Sequence, residues 1–382
     1  MFDSTLCQIR PTLPRYAPHH SRQLRIGTLT DSDDAAPAVL EASRFNRHTF
    51  WCGQSGSGKT YALGVVLEQL LLDTKMPILI IDPNGDFTRL ADVREGVDAD
   101  AAAALQELDI RVLRSGPTGE TPLKIRFLDM PIRSRAAVLR LDPLLDRDEY
   151  NLLLHLEEVR PHQSGNVDVE QVLASSDDPV RQQLLQRLQN LGVLDWELWA
   201  RGAESSEDVI RARPRATVLD VGGFPTLQES RAAALGVLDH LWMTRQERRP
   251  VLIVIDEAHN ICPPDPATPV EEVLTERVIQ IAAEGRKYGL WLLLSTQRPT
   301  KIHPNALTQC DNLGLMRMSS PRDLDELANL FGYAPPDMLA ASPRFPQGQA
   351  LFAGGFVQQP SFVQIGARLT HEGGTDVRVP LE

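Results

Sequence analysis

Short, largely apolar runs alternate along this chain with stretches in which apolar positions recur every three or four residues. The runs at 48–52, 77–81, 216–221, 251–255 and 290–296 are strand-sized and lack the strict in–out alternation of a half-wetted strand. Such runs predict strands buried on both faces, the signature of a parallel sheet. Residues 61–72, 227–248 and 270–288 show helical spacing and fall between them. Strand and helix in alternation predict an α/β fold with helices on both faces of a mainly parallel sheet. Ligands of such a sheet bind at the carboxyl ends of the strands.

Elsewhere the pattern changes. Residues 110–114 and 123–127 alternate apolar and basic and predict two strands with one wet face. Between about 131 and 213 the spacing is helical, over 136–145, 148–159 and 179–194, with polar breaks such as 161–166. This stretch reads as a helical insertion, with Trp196 and Trp199 as packing residues. Residues 1–35, with Pro11, Pro14, Pro18 and the acidic patch 31–34, form an N-terminal arm with one strand at 24–29, too short for a complete β-barrel. Residues 350–354 and 362–365 read as edge strands. The chain then divides into the arm (1–35), a core in two parts (36–130 and 214–370) around the insertion (131–213), and a tail (371–382).

Composition narrows the function. With 42% hydrophobic residues over 382 positions, a sizeable core is expected. A formal charge of −12 argues against nucleic acid binding over the whole surface and confines any such contact to a local basic stripe. Cys7, Cys52, Cys262 and Cys310 are not at C-x-x-C spacing, so reduced, buried thiols are expected rather than a zinc site or redox pair. The N-terminus lacks a signal-peptide pattern, and no apolar run approaches the ~20 residues of a membrane span. These features predict a cytoplasmic protein without a membrane segment.

The chemistry is concentrated in one octapeptide. Gly53-Gln54-Ser55-Gly56-Ser57-Gly58-Lys59-Thr60 fits G-x-x-x-x-G-K-[ST], the phosphate-binding P-loop, between a predicted strand and a predicted helix as that motif requires. Its glycines permit the tight turn that aims backbone N–H groups at a phosphate. Lys59 is expected to reach the β- and γ-phosphates of ATP, and Thr60 to hold Mg²⁺. Asp256-Glu257 ends an apolar run in Walker B form. Asp256 is the second expected Mg²⁺ ligand and Glu257 the group that polarises the attacking water. Gln297 directly follows the next strand, where an amide can contact the γ-phosphate or the water, or serve as an ordinary loop residue.

These motifs resemble those of the HerA/FtsK superfamily of P-loop ATPases, and most of all its HerA branch of DNA translocases. The resemblance is carried by Arg47-His48-Thr49 leading into the P-loop, Ile81-Asp82-Pro83-Asn84-Gly85-Asp86-Phe87, Ile255-Asp256-Glu257-Ala258-His259-Asn260, Glu284-Gly285-Arg286-Lys287-Tyr288-Gly289 and Ser295-Thr296-Gln297-Arg298-Pro299. It runs from about 40 to 370. It implies a RecA-like P-loop NTPase core and a homohexameric ring that couples ATP hydrolysis to movement along double-stranded DNA, beside a partner nuclease or other effector. It also implies Gln297 as a sensor and an arginine reaching into the neighbouring subunit's site. Arg286 is the candidate, with Arg277, Arg298 and Arg317 as rivals and a solvated helix end as its plain alternative. HerA proteins usually begin with a small β-barrel that docks the nuclease, and residues 1–35 depart from that pattern. The loop holding Arg298, Lys301 and His303 is placed to couple nucleotide to DNA, or is a charged surface loop. Two functions follow: a DNA translocase, or a nucleotide-dependent assembly platform that regulates an effector, for example in defence against phage. A conjugation or secretion motor is disfavoured by the lack of a membrane segment.

Overall fold

A computed structural model describes residues 22–30, 36–115, 121–156, 173–174, 177–201 and 203–374. Cys7, the polar break 161–166, the end of the helix expected over 148–159 and most of the tail lie outside the described residues. Among the described residues the sheet has eleven strands. They are β1 (Gln23–Leu29), β2 (Pro37–Glu41), β3 (His48–Cys52), β4 (Ile78–Asp82), β5 (Ile110–Arg114) and β6 (Ala216–Asp220), followed by β7 (Val251–Ile255), β8 (Leu290–Thr296), β9 (Cys310–Leu315), β10 (Gln349–Gly354) and β11 (Ser361–Ile365). Their order is β2-β1-β11-β10-β9-β3-β8-β7-β4-β6-β5. From β9 to β5 all neighbours are parallel. From β9 to β2 all are antiparallel.

The central strands are apolar throughout because both faces are covered. In β4, Ile78 and Ile80 pack under the helix Lys59–Asp73, whereas Leu79 and Ile81 face the opposite side. That side carries the helices Leu227–Met243 and Pro269–Glu284. The latter begins with a capping box, Thr268 and Glu271 each bonding the other's backbone N–H, and with Pro269 at its first position. Parallel strands place their carboxyl ends along one edge, and the ends of β3, β4, β7 and β8 form the floor of the site described below.

Three expectations are corrected, and one strand, β9, is found where none was expected. Residues 123–127 are extended but are not a strand of the sheet. Leu123 and Ile125 point into the core, and the segment makes only isolated bridges, Arg114 to Pro122 and Ile125 to Trp199. Alternation alone cannot tell a strand from an extended chain with one buried face. The helix expected over 136–145 is instead Ile132–Val138, and Leu144 and Leu145 are exposed. β10 and β11 are interior strands, because β1 and β2 close the sheet beyond them. β9 lies beside the P-loop strand although Asp311, Asn312 and Gly314 interrupt its apolar pattern. Asn312 donates to Thr49 Oγ1 and the Arg44 carbonyl, and a Cβ on Gly314 would lie 2.8 Å from the Trp51 ring.

The stretch between β5 and β6 also carries Arg147–Leu154, Pro179–Leu191 and Ser206–Ala212 as helices. Trp196 and Trp199 stack on each other with centroids 5.7 Å apart, and Phe127 meets Trp199 edge-on. Cys52, Cys262 and Cys310 are buried thiols, and burial pushes all three up in pKa, Cys262 to about 12.

Candidate nucleotide-binding site

The P-loop leaves the end of β3 and turns directly into the helix Lys59–Asp73. Gly56 and Gly58 have φ of 73° and 89°, the left-handed region in which a side chain is strained. The loop is tied to its surroundings: Gly53 N–H donates to the Thr296 carbonyl, Gln54 N–H to the Arg317 carbonyl, and Ser57 N–H to the Gln54 carbonyl. Gln54 Oε1 accepts from Ser319 N–H. The helix that follows directs its free N–H groups and positive dipole end at the loop, which makes an anion site.

Lys59 is buried at this junction. Its ammonium donates to Asp256 Oδ1 at 2.8 Å and Ser295 Oγ at 2.9 Å, and lies 3.4 Å from Glu257 Oε1. Ser295 Oγ in turn donates to the same Asp256 oxygen at 2.7 Å. Burial alone would lower the Lys59 pKa, but the charges of Asp256 and Glu257 outweigh it and hold it above its ordinary value. Asp256 Oδ2 is buried without a hydrogen-bond partner.

Glu257 sits at φ 45°, ψ 48°, an uncommon conformation for a residue with a side chain. That turn follows β7 immediately and carries the carboxylate back toward Lys59. His259 Nδ1 stands 3.2 Å from Glu257 Oε2 and 2.9 Å from Thr296 Oγ1. Burial would raise the Glu257 pKa, yet the contacts with His259 and Lys59 keep it below the usual value.

A second acidic turn follows β4. Asp82 accepts the N–H groups of Asn84, Asp86 and Phe87 at 3.2, 3.1 and 2.8 Å. Burial pushes its pKa up to about 7. The turn presents Asp86 to the P-loop, where Thr60 Oγ1 donates to Asp86 Oδ2 at 3.4 Å. Burial and then the charge of Asp256 raise the Asp86 pKa.

Lys59, Thr60, Glu257 and Gln297 line one cavity of about 1110 Å³, large enough for a nucleoside triphosphate, and Asp256 lies buried behind Lys59. Arg286 is not among its lining residues. Arg286 donates to Asp311 Oδ2 at 3.1 Å where β9 begins, at the opposite ends of the parallel strands. Arg277 is held by Asp239 and Gln280, and Arg317 donates to the Gly56 carbonyl of its own P-loop. Arg298 and Lys301 are exposed, while His303 Nδ1 caps the short helix Pro304–Leu307.

Sequence reasoning assigned no role to Asp86, His259 or Ser295, although all three lie in the motifs quoted above. It also missed Gln347, Gln364 and the segment from Gly366 to Gly374, which form the far wall of the cavity. No motif marks that wall, because its residues come from the antiparallel half of the sheet.

The donor set at this site offers few protein ligands to a divalent cation. The described residues contain no group of three or more His, Cys, Asp or Glu side chains placed to hold a metal by themselves. The partnerless Asp256 Oδ2 and the Thr60 hydroxyl, held only by a long bond, suit a Mg²⁺ that takes its remaining ligands from phosphate and water. No helix among the described residues is long and apolar enough to cross a membrane.

Comparison with known proteins agrees with this geometry. The DNA double-strand break repair helicase HerA of Pyrococcus furiosus is 21% identical over 90% of this chain and 69% of its own length. The HerA of Sulfurisphaera tokodaii is 33% identical over a shorter stretch, 30% of this chain and 23% of the relative. In fold, VirB4 of Thermoanaerobacter pseudethanolicus superposes with a TM-score of 0.60 at 16% identity, covering 90% of this chain and 96% of that one. The model of the family described as "Helicase HerA, central domain" matches residues 24–231, from the first sheet strand through the P-loop and past β6. That match spans more than half of the sequence, and the chain belongs to the HerA family of P-loop ATPases.

Proposed function

We propose that this chain is an ATP-driven motor on double-stranded DNA, acting as a homohexameric ring beside a nuclease or other effector protein. One observation carries the ring: Lys59, Thr60, Asp256, Glu257 and Gln297 meet at one end of the sheet while Arg286, half-buried and paired with Asp311, lies at the other. An arginine there cannot serve its own site, and in a head-to-tail ring it would exchange Asp311 for the nucleotide of a neighbour.

The Lys59 ammonium bridges Asp256 and Glu257 and offsets one of their two negative charges. A triphosphate seated on the N–H groups of Gly53–Thr60 offers competing oxygens. As Lys59 turns to them, it frees Asp256 to hold Mg²⁺ together with Thr60. Mg²⁺ held there would supply positive charge to offset that of the phosphates. Glu257, kept ionised by its contacts, accepts a proton from the attacking water, and Gln297 orients that water. Arg286 of the adjacent subunit adds positive charge at the γ-phosphate.

Duplex DNA is assigned to the central channel, since the acidic exterior repels phosphate. The exposed Arg298 directly follows Gln297 and Lys301 lies in the same loop, so nucleotide state and DNA contact share one loop. Phosphate contacts of this kind carry no base information and weaken steeply with salt. The net charge of −12 favours a second reading, an assembly platform whose ATP state regulates the effector without translocation. ATPase rates with and without linear duplex, at low and moderate salt, separate the two. The motor reading expects stimulation that Lys301→Ala abolishes while basal hydrolysis persists. If duplex neither binds nor stimulates at low salt, with the effector present or absent, the motor reading fails.

A further inference from the structure

A second pocket lies at the opposite edge of the sheet, where β7 and β8 begin. It is lined by Arg213, Arg245 and Arg249, with the exposed Arg211 and the buried Leu241 and Leu290. The cations come from separate segments that local structure brings together. Arg213 closes the helix Ser206–Ala212 at φ 62°, and Arg248 closes the turn Arg245–Glu247 at φ 49°, positions that glycine ordinarily takes. Three guanidinium groups are each pinned through one nitrogen to a backbone carbonyl. Arg213 Nη2 donates to that of Pro250 at 2.6 Å, Arg245 Nη1 to that of Trp242 at 2.7 Å and Arg249 Nη2 to that of Arg211 at 3.2 Å. Arg245 also lies over the rings of Trp242 and Tyr288, 4.4 and 5.6 Å from their centroids. A guanidinium held in this way keeps its other donors for a ligand, and its planar fork fits a carboxylate.

These cations are short of counter-ions in a chain whose formal charge is −12. Among the described residues the carboxylate paired with them is the exposed Glu247, 3.6 Å from Arg249 Nη1. Burial and then the charge of Arg249 lower the Arg213 pKa, and Arg245 Nε is buried without a hydrogen-bond partner. An incoming anion relieves the repulsion between like charges held in half-buried space. We infer that this pocket docks an acidic segment of a partner protein, with one carboxylate seated among Arg213, Arg245 and Arg249 and a second acid met by Arg211 or Arg248 at the rim. The pocket encloses about 40 Å³, room for a carboxylate and far too little for a nucleotide. A nucleic acid backbone calls for a row of cations along a groove, whereas these converge on one pocket beside apolar side chains. The exposed Arg211 and Arg248 exceed what one carboxylate needs, which favours a segment over a lone anion. The pocket is remote from Lys59 and Glu257, and the inference is independent of how the chain uses ATP.

The test is fluorescence anisotropy of a labelled, end-capped hexaglutamate peptide with the full chain at low salt, with inorganic phosphate and linear duplex DNA as competitors. The wild type is expected to bind the peptide, and Arg213→Ala and Arg249→Ala each to weaken binding about tenfold. Glu247→Gln is expected to strengthen it about twofold, because the pocket loses its competing acid, and misfolding does not produce such a gain. Lys301→Ala, at the other edge of the sheet, is expected to leave binding unchanged. Arg249 is exposed, so its variant decides the question if Arg213→Ala, which loses the bond to Pro250, melts early. A wild type that does not bind the peptide, or binding that the Arg249 and Glu247 variants leave unchanged, overturns the inference. Inorganic phosphate that binds as tightly as the peptide marks a small-anion site, and duplex whose affinity falls in the same variants marks a nucleic-acid contact; either result overturns the docking of a protein segment.

Discussion

Replacing Lys59 tests the centre of the site without any nucleotide. Its ammonium is the cation within 4 Å of both Asp256 and Glu257, of which the first is 1% exposed and the second 10% by side chain. Breaking a buried pair from one side costs about 3–5 kcal/mol, because the abandoned carboxylate stays in a poor solvent for charge. Unfolding entropy of ~2.1 cal/mol/K per residue gives a chain of this length ~0.8 kcal/mol/K, so the loss corresponds to ~4–6 °C in melting temperature. Lys59→Met, which keeps the length of the stem, isolates the charge from the packing. The sign with pH follows from the shifts. In the wild type Glu257 is depressed and Lys59 raised, so the stability they contribute is fully present between the ordinary glutamate and the ordinary lysine values. It is lost only as pH falls through the depressed Glu257 pKa or rises through that of Lys59. In Lys59→Met the Glu257 carboxyl loses a contact that holds it down while its burial remains, so it moves up, and stability is lost as pH rises through it. The gap between variant and wild type should therefore be widest at pH 8 and narrower at pH 5, and Lys59→Met/Asp256→Asn should recover part of it. Thermal melts of the nucleotide-free protein measure this. A Lys59→Met melting temperature within about 1 °C of wild type at pH 8, or a gap that does not narrow at pH 5, would refute the reasoning.

Three other outcomes are expected. Glu257→Gln should bind ATP at near wild-type affinity yet lose about 10²–10⁴ in turnover, measured as phosphate release beside nucleotide binding, because the proton acceptor goes while Asp256 and Thr60 remain. Arg286→Ala should lose about 10³ or more in turnover, and an equimolar mixture with Glu257→Gln should regain activity, since some interfaces then pair an intact glutamate with an intact arginine; a mixture no more active than its parts removes Arg286 from the shared site. Gly64→Ala should lower the melting temperature, at a cost of about 1–3 kcal/mol, because its methyl overlaps the buried Arg368 guanidinium, and Gly64→Ala/Arg368→Met should be milder than Gly64→Ala alone.

What the sequence by itself determined was local. The P-loop, the apolar strands β3, β4, β7 and β8, and the acidic residues at their ends were legible because each lies within a few consecutive positions. A buried parallel strand must be apolar on both faces, and a phosphate loop needs glycine at fixed places. The alternation of strand and helix then places Lys59, Asp256, Glu257 and Gln297 at one edge. Tertiary structure decided whatever depends on pairing between distant segments. Asp311, Asn312 and Gly314 conceal β9, which becomes a strand because β3 and β10 lie on either side to accept it. Residues 123–127 carry a strand's alternation but have no sheet neighbour. Gln347, Gln364 and the segment beyond β11 reach the nucleotide cavity only because four antiparallel strands fold the end of the chain back onto the P-loop helix, and no periodicity records that meeting. The site of Arg286 is a further case: its motif was visible, but its place at the far end of the sheet, away from its own P-loop, follows from the parallel register of β9 with β3.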